Sequence, residues 1–151
     1  MMPRPTPQDF ITWSNRLIQF PWPIQLNDLP PYAEKLGWKP TLRPTWFSVC
    51  ADDDVGNVIV SENESGNIYR LRVSMVRNMA EDAEGAAELN DHFVSCVAAG
   101  RKAWGEPFLL EAGEDPAATW KFPEGAFAQV TGGFRAVLFR FFTPQGQWYF
   151  L

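Results

Sequence analysis

Tyr69-Arg70-Leu71-Arg72-Val73-Ser74-Met75 decides the fold class. Tyr69, Leu71, Val73 and Met75 alternate with Arg70, Arg72 and Ser74. That period of two belongs to a strand with one buried and one polar face. Upstream, Glu64-Ser65-Gly66-Asn67 is a turn signal, and Asn57 to Glu62 reads as a second strand. Asp52-Asp53-Asp54 and Gly56-Asn57 form a further turn region, preceded by a third strand from Trp46 to Ala51. The three strands are expected to pair as an antiparallel meander.

Downstream the period changes. Ala80 to Trp104 reads as the longest helix, with Leu89, Phe93, Cys96 or Val97, Gly100 and Trp104 along one stripe. Glu81, Asp82 and Glu84 suit the positive end of its dipole, and Arg101 and Lys102 the negative end. Gly105 and Pro107 close it. Trp120 to Phe122 is a short strand. Phe127 to Thr131 and Phe134 to Phe142 flank Gly132-Gly133, read as a two-residue hairpin turn. Both faces of Phe134 to Phe142 are largely apolar, so this strand is expected to be central and covered on each side. Pro144-Gln145-Gly146 turns the chain into a final strand, Gln147 to Leu151.

Two short helices are expected before the meander. Thr6 caps the first, Pro7 suits its first position, and Phe10, Trp13 and Leu17 give it one apolar face. The second begins near Asn27-Asp28, buries Leu29, Ala33 and Leu36, and ends at Gly37. Lys39 to Thr45 is expected to be extended. The order is α-α-βββ-α-βββ(β): antiparallel strand groups with helices segregated between them. This is α+β, not a doubly wound fold. The 151 residues are expected to form a single domain, 1–151. That length is enough for a core without a metal or disulfide staple.

Charge narrows the partner. The net charge is −5 and the pI about 4.8. Nucleic-acid binding would need a basic stripe to displace counterions, and an anionic membrane surface is disfavoured for the same reason. A basic protein surface is the better match. Met1 to Pro7 carries no apolar run, so no signal peptide is expected, and no stretch approaches the ~20 apolar residues of a membrane span. Cys50 and Cys96 form no CxxC motif and are expected to be buried free thiols in a reducing cytoplasm.

The chemistry-bearing residues are few. His92 is the sole histidine, placed mid-helix four residues after Glu88, where a surface pair is expected. A zinc site lacks ligands. Asp52-Asp53-Asp54 is out of register with a calcium loop. No phosphate-binding glycine loop is present. Paired carboxylates stay open, because their pairing is spatial. No catalytic residue, metal ligand or cofactor is therefore assigned. The surface remains: Asp52, Asp53, Asp54, Glu62 and Glu64, on two successive turns, would form an acidic patch for a basic partner. Trp46, Trp148 and Trp22 are candidate aromatic anchors.

Phe20-Pro21-Trp22-Pro23 and Ala33-Glu34-Lys35-Leu36-Gly37-Trp38 carry a resemblance. The chain resembles an uncharacterised family of small actinobacterial proteins that look like immunity proteins encoded beside polymorphic secreted toxins. The resemblance implies a non-enzymatic, cytoplasmic protein that neutralises a cognate toxin through a preformed, partly acidic surface. Two other readings stand beside it. One is a secretion chaperone or adaptor offering an edge strand or helix groove to an export substrate. The other is a small enzyme or ligand-binding domain with a carboxylate-lined pocket.

Overall fold

Thr6 opens the first helix through a reciprocal pair of bonds. Its hydroxyl accepts from the Asp9 amide at 3.2 Å, and the Asp9 carboxylate accepts from the Thr6 amide at 2.8 Å. With Pro7 preset for the first turn, helix α1 runs Pro7–Ile18 and buries Phe10, Trp13 and Leu17, as its spacing predicts. The computed structural model describes residues 4–49 and 55–151. Cys50 and Asp52, Asp53 and Asp54 lie outside the described residues. A single 3-10 turn, Leu26–Asp28, leads into helix α2, Pro30–Lys35, and Gly37 follows at φ 80°, a conformation cheap only for glycine. Helix α3 spans Ala83–Trp104, capped by the Asp82 carboxylate on the Gly85 amide at 2.7 Å.

The strands form one antiparallel sheet. They are β1 Lys39–Pro40, β2 Trp46–Ser48, β3 Asn57–Glu62, β4 Ile68–Arg77, β5 Leu109–Glu111, β6 Ala117–Lys121, β7 Phe127–Thr131 and β8 Ala136–Phe142. Their order is β1-β2-β3-β4-β8-β7-β6-β5. The meander and the C-terminal strands therefore meet at the β4–β8 pair, which makes β4 and β8 the two central strands. The α+β class, the meander, the hairpin and the intervening helix stand as expected.

Several details differ. β1 and β5 add strands at the two edges, in segments whose Pro40 and exposed leucines carry no period-two signal. The expected strand from Gln147 is instead a 3-10 helix, Pro144–Tyr149, because the Thr143 hydroxyl caps the Gln145 amide and Gly146 turns against the Tyr69 carbonyl. The β7–β8 connection is four residues long, not two. Gly132 donates to the Pro116 carbonyl, and the Arg135 and Phe134 carbonyls accept from Asn78, so those residues serve other partners and leave the ladder. β8 is central as expected; α1 and α3 cover one of its faces, and on the other the C-terminal segment covers Phe142 while Leu138 and Arg140 stay half-buried.

α1 and α3 lie on the face formed by Val58, Val60, Leu71, Val73, Met75, Val137, Phe139, Ala128, Val130, Ala118 and Trp120, all buried. Gly100 sets the approach of α3: a Cβ built there would fall about 2.5 Å from the Trp120 ring. Trp120 also donates its indole N–H to the Gly105 carbonyl at 2.9 Å, tying the sheet to the end of α3. Phe10 of α1 fills the remaining angle, with ring centroids 5.4 Å from Trp104, 5.9 Å from Trp120 and 5.3 Å from Phe139. Such pairs add roughly 0.5–1.5 kcal/mol each beyond area burial.

Two substitutions test this packing. Phe10→Ala should lower the unfolding free energy by about 3–5 kcal/mol through cavity formation. Gly100→Ala should lower it by about 1–3 kcal/mol by pushing α3 off the indole. Urea denaturation measures both, and a change below about half a kilocalorie for either would contradict the helix-on-sheet contact described.

Candidate functional site

The second face of the sheet is built by the alternate residues of the same strands. Residues paired directly across strands share a face, and the register runs Trp46, Ile59, Arg72, Arg140, Gln129, Thr119, Leu109 from one side of the sheet to the other. A parallel row runs Ser61, Arg70, Phe142, Phe127, Lys121. The chain's own C-terminal segment covers part of this second row. Tyr149 stacks on Phe142 at 4.9 Å, and Phe150 packs on Phe142 and Phe127, each at 4.7 Å. In the first row Gln129 and Thr119 are buried, while Trp46, Ile59, Arg72 and Arg140 are half-buried.

Three arginines occupy the centre of this face. Arg72 of β4 and Arg140 of β8 are directly opposed, and Arg70 stands two residues from Arg72 on β4. Like charges in opposed positions repel. Burial first, then the Arg140 and Arg70 charges, push the Arg72 guanidinium below its usual value. Arginine stays charged at neutral pH even so. Among the described residues the one ion pair is Arg101–Glu106 at the end of α3, so none of the described carboxylates forms an ion pair with these three. Arg70 donates to the Ser61 hydroxyl at 3.3 Å, and its guanidinium lies 5.8 Å over the centroid of the Tyr69 ring. The Nε atoms of Arg70 and Arg140 are buried without a hydrogen-bond partner.

Arg140 also borders a groove of about 740 Å³ over β5 to β8. Gln129, Thr131, Ala117 and Leu138 lie along it, with Leu109, Phe134, Tyr149 and Phe150 as apolar walls and Glu111 and Asp115 at the far rim. Gln129 donates to the Thr119 hydroxyl at 3.0 Å, while its carbonyl oxygen is buried and unpartnered. The Asn78 bond to the Phe134 carbonyl holds the rim turn in place.

The residues picked from the sequence fall around this face in different ways. Trp46 stands at the β2 end of the arginine row, half-buried, with the Arg43 guanidinium 4.7 Å above its ring. Trp148 is 61% exposed beside Tyr69 and Tyr149. Trp22 is half-buried against the core, donating to the Leu17 carbonyl at 2.7 Å and packing by Phe20 and Phe141. Glu62 and Glu64 are exposed at the β3–β4 turn. Asp52, Asp53 and Asp54, expected beside them, lie outside the described residues. The arginines are what the sequence reading passed over, although the alternation of Tyr69 to Met75 had already put Arg70 and Arg72 on the polar face.

His92 does not form the expected pair with Glu88; its Nε2 is buried without a partner, and it lines a shallow cavity with Arg4, Pro7 and Val76. Burial, then the Arg4 charge, lowers its pKa. Cys96 is fully buried, and desolvation raises its thiol to about 12, so it stays an inert core thiol. Among the described residues no group of three His, Cys, Asp or Glu is placed to hold a metal ion, and no helix is long and apolar enough to cross a membrane.

The fold and this face define an α+β protein whose large sheet is covered by helices on one side. A sequence profile for a family of unknown function, DUF6301, matches residues 8–143, and the chain belongs to that family. No curated protein and no solved structure matches the chain.

His92 supplies a pH test. Its folded pKa lies below the unfolded value near 6.5, so its contribution to stability is whole above that value and is lost as pH falls through the folded pKa. Replacing it by glutamine should flatten the stability curve between about pH 7 and 5. Parallel urea titrations of the wild type and His92→Gln across that window measure the difference, and identical slopes would refute it.

Proposed function

We propose that this protein acts by binding, without catalysis, and that it recognises a protein partner with the open face of its sheet. On the resemblance carried by its Trp-Pro and Leu-Gly-Trp segments, the partner is a secreted toxin, and the chain is a cytoplasmic immunity protein that neutralises it. The single observation supporting this reading is the face itself. Strands fix its side chains before any partner arrives, and it offers charge at the centre, apolar walls beside it and exposed Trp148 at its margin. Preformed surfaces of this kind avoid the ordering cost that weakens association. Exposed aromatic groups and arginines are the residues that most often anchor interfaces.

A specific observation favours a second reading as well. β5, Leu109–Glu111, is an edge strand with every residue exposed. An extended export substrate could add to it as a further strand, which is how a chaperone or adaptor would work.

Co-expression with the product of the adjacent gene tests the first reading. A stable complex and loss of that product's toxicity are expected. Thr131→Arg, on the floor of the groove, should weaken the complex at least tenfold, whereas Val94→Glu, on the exposed side of α3, should leave it unchanged. A complex that forms without inhibition selects the adaptor reading, and the absence of any complex removes the immunity reading.

A further inference from the structure

We propose that Arg70, Arg72 and Arg140 are a receptor for side-chain carboxylates of a protein partner, with an adjacent apolar side chain of the same partner segment seated in the neighbouring groove. This rests on the reading of the open face as a binding surface and names the chemistry of what it binds.

The charge arrangement carries the inference. An opposed arginine pair at the centre of a sheet opposes folding, and a third arginine two residues away adds to the repulsion. The three Cα positions define a triangle with sides of roughly 5, 7 and 8 Å. A guanidinium has five donors in a planar fork, matched to the two oxygens of a carboxylate. Here the Nε donors of Arg70 and Arg140 are already removed from water and have no acceptor. One carboxylate set between Arg72 and Arg140 would accept from their terminal guanidinium nitrogens and cancel the repulsion between them. Charge-assisted bonds of that type are roughly twice as strong as neutral ones.

The surroundings choose the occupant. Trp46 and Ile59 flank the arginines on one side, and Leu138, Tyr149 and Phe150 on the other. A free phosphate would satisfy the arginines and leave these apolar walls bare. A nucleic acid would carry successive phosphates towards Glu111 and Asp115 at the far rim. An acidic residue followed by an apolar one matches both parts.

The test uses the full chain and a defined probe. Acetyl-Glu-Glu-Leu-Phe-amide is titrated while the arginine Nε–Hε resonances are followed by NMR, with the Gln-Gln peptide, inorganic phosphate and oligothymidylate as separate arms. The Glu peptide should shift the signals of Arg70, Arg72 and Arg140 and raise the unfolding midpoint. Arg72→Gln and Arg140→Gln should each weaken that binding at least tenfold, and Arg101→Gln, on α3, should not. Equal binding of the Gln-Gln peptide, tighter binding of phosphate or oligothymidylate, or unmoved arginine signals at millimolar Glu peptide would each overturn the proposal. The readout in unaltered protein keeps the test independent of whether a variant folds. A toxin complex insensitive to both arginine variants also overturns it while leaving the immunity reading intact. Carboxylate binding with no toxin complex does the reverse.

Discussion

Everything in this molecule follows from how closely α3 approaches the sheet at Gly100. A side chain there would collide with the Trp120 indole, so glycine is what lets the helix lie flat on β6. Once α3 is seated, Trp120 bonds to the Gly105 carbonyl, Trp104 donates to Asn15 of α1, and Phe10 closes the gap between the two helices and β8. The helices are then committed to one side. An eight-stranded sheet with all its long helices on one side has to manage the other by different means.

Two means are visible. At one end the chain folds its own tail back, using Tyr149 and Phe150 to cover Phe142 and Phe127. Over the rest, the strands mix polar residues with Trp46, Ile59, Leu109 and Leu138, and the central place goes to arginines. Elsewhere several buried donors are answered by backbone carbonyls: Thr143 by Ile68, Ser14 by Phe10, Asn78 by Asp82 and Phe134. Of the seven buried side-chain polar atoms without a partner among the described residues, two are the Nε atoms of Arg70 and Arg140, at the middle of the sheet.

Much of the fold is legible in the sequence, for identifiable reasons. Thr6-Pro7-Gln8-Asp9 is a local signal, and its bonds close within one turn. The alternation from Tyr69 to Met75 and the helical stripe from Leu89 to Trp104 are periodic, so sidedness follows from spacing. The edges were not legible. β1 and β5 are two and three residues long, too short for any period, and they exist because a neighbouring strand offers a ladder. The tail from Pro144 misleads for a different reason: its aromatics look like strand residues, but tertiary contact with Tyr69 and Phe142 wins over local propensity. The site shows the same division. Each arginine can be placed on its face from the alternation, whereas their meeting across β4 and β8 requires knowing that two strands some seventy residues apart are neighbours.

The two borders of the sheet are unlike. β1 is two residues long and contains Pro40, which has no amide hydrogen to give, so that border is blunt. β5 is open along its length. A unit with a single receptive border can terminate a ribbon of strands, its own or another chain's, or pair once with its twin around a two-fold axis. It cannot pass the ribbon on. Fibre growth by strand addition is thus closed to this fold by its geometry, without any charge being needed to forbid it.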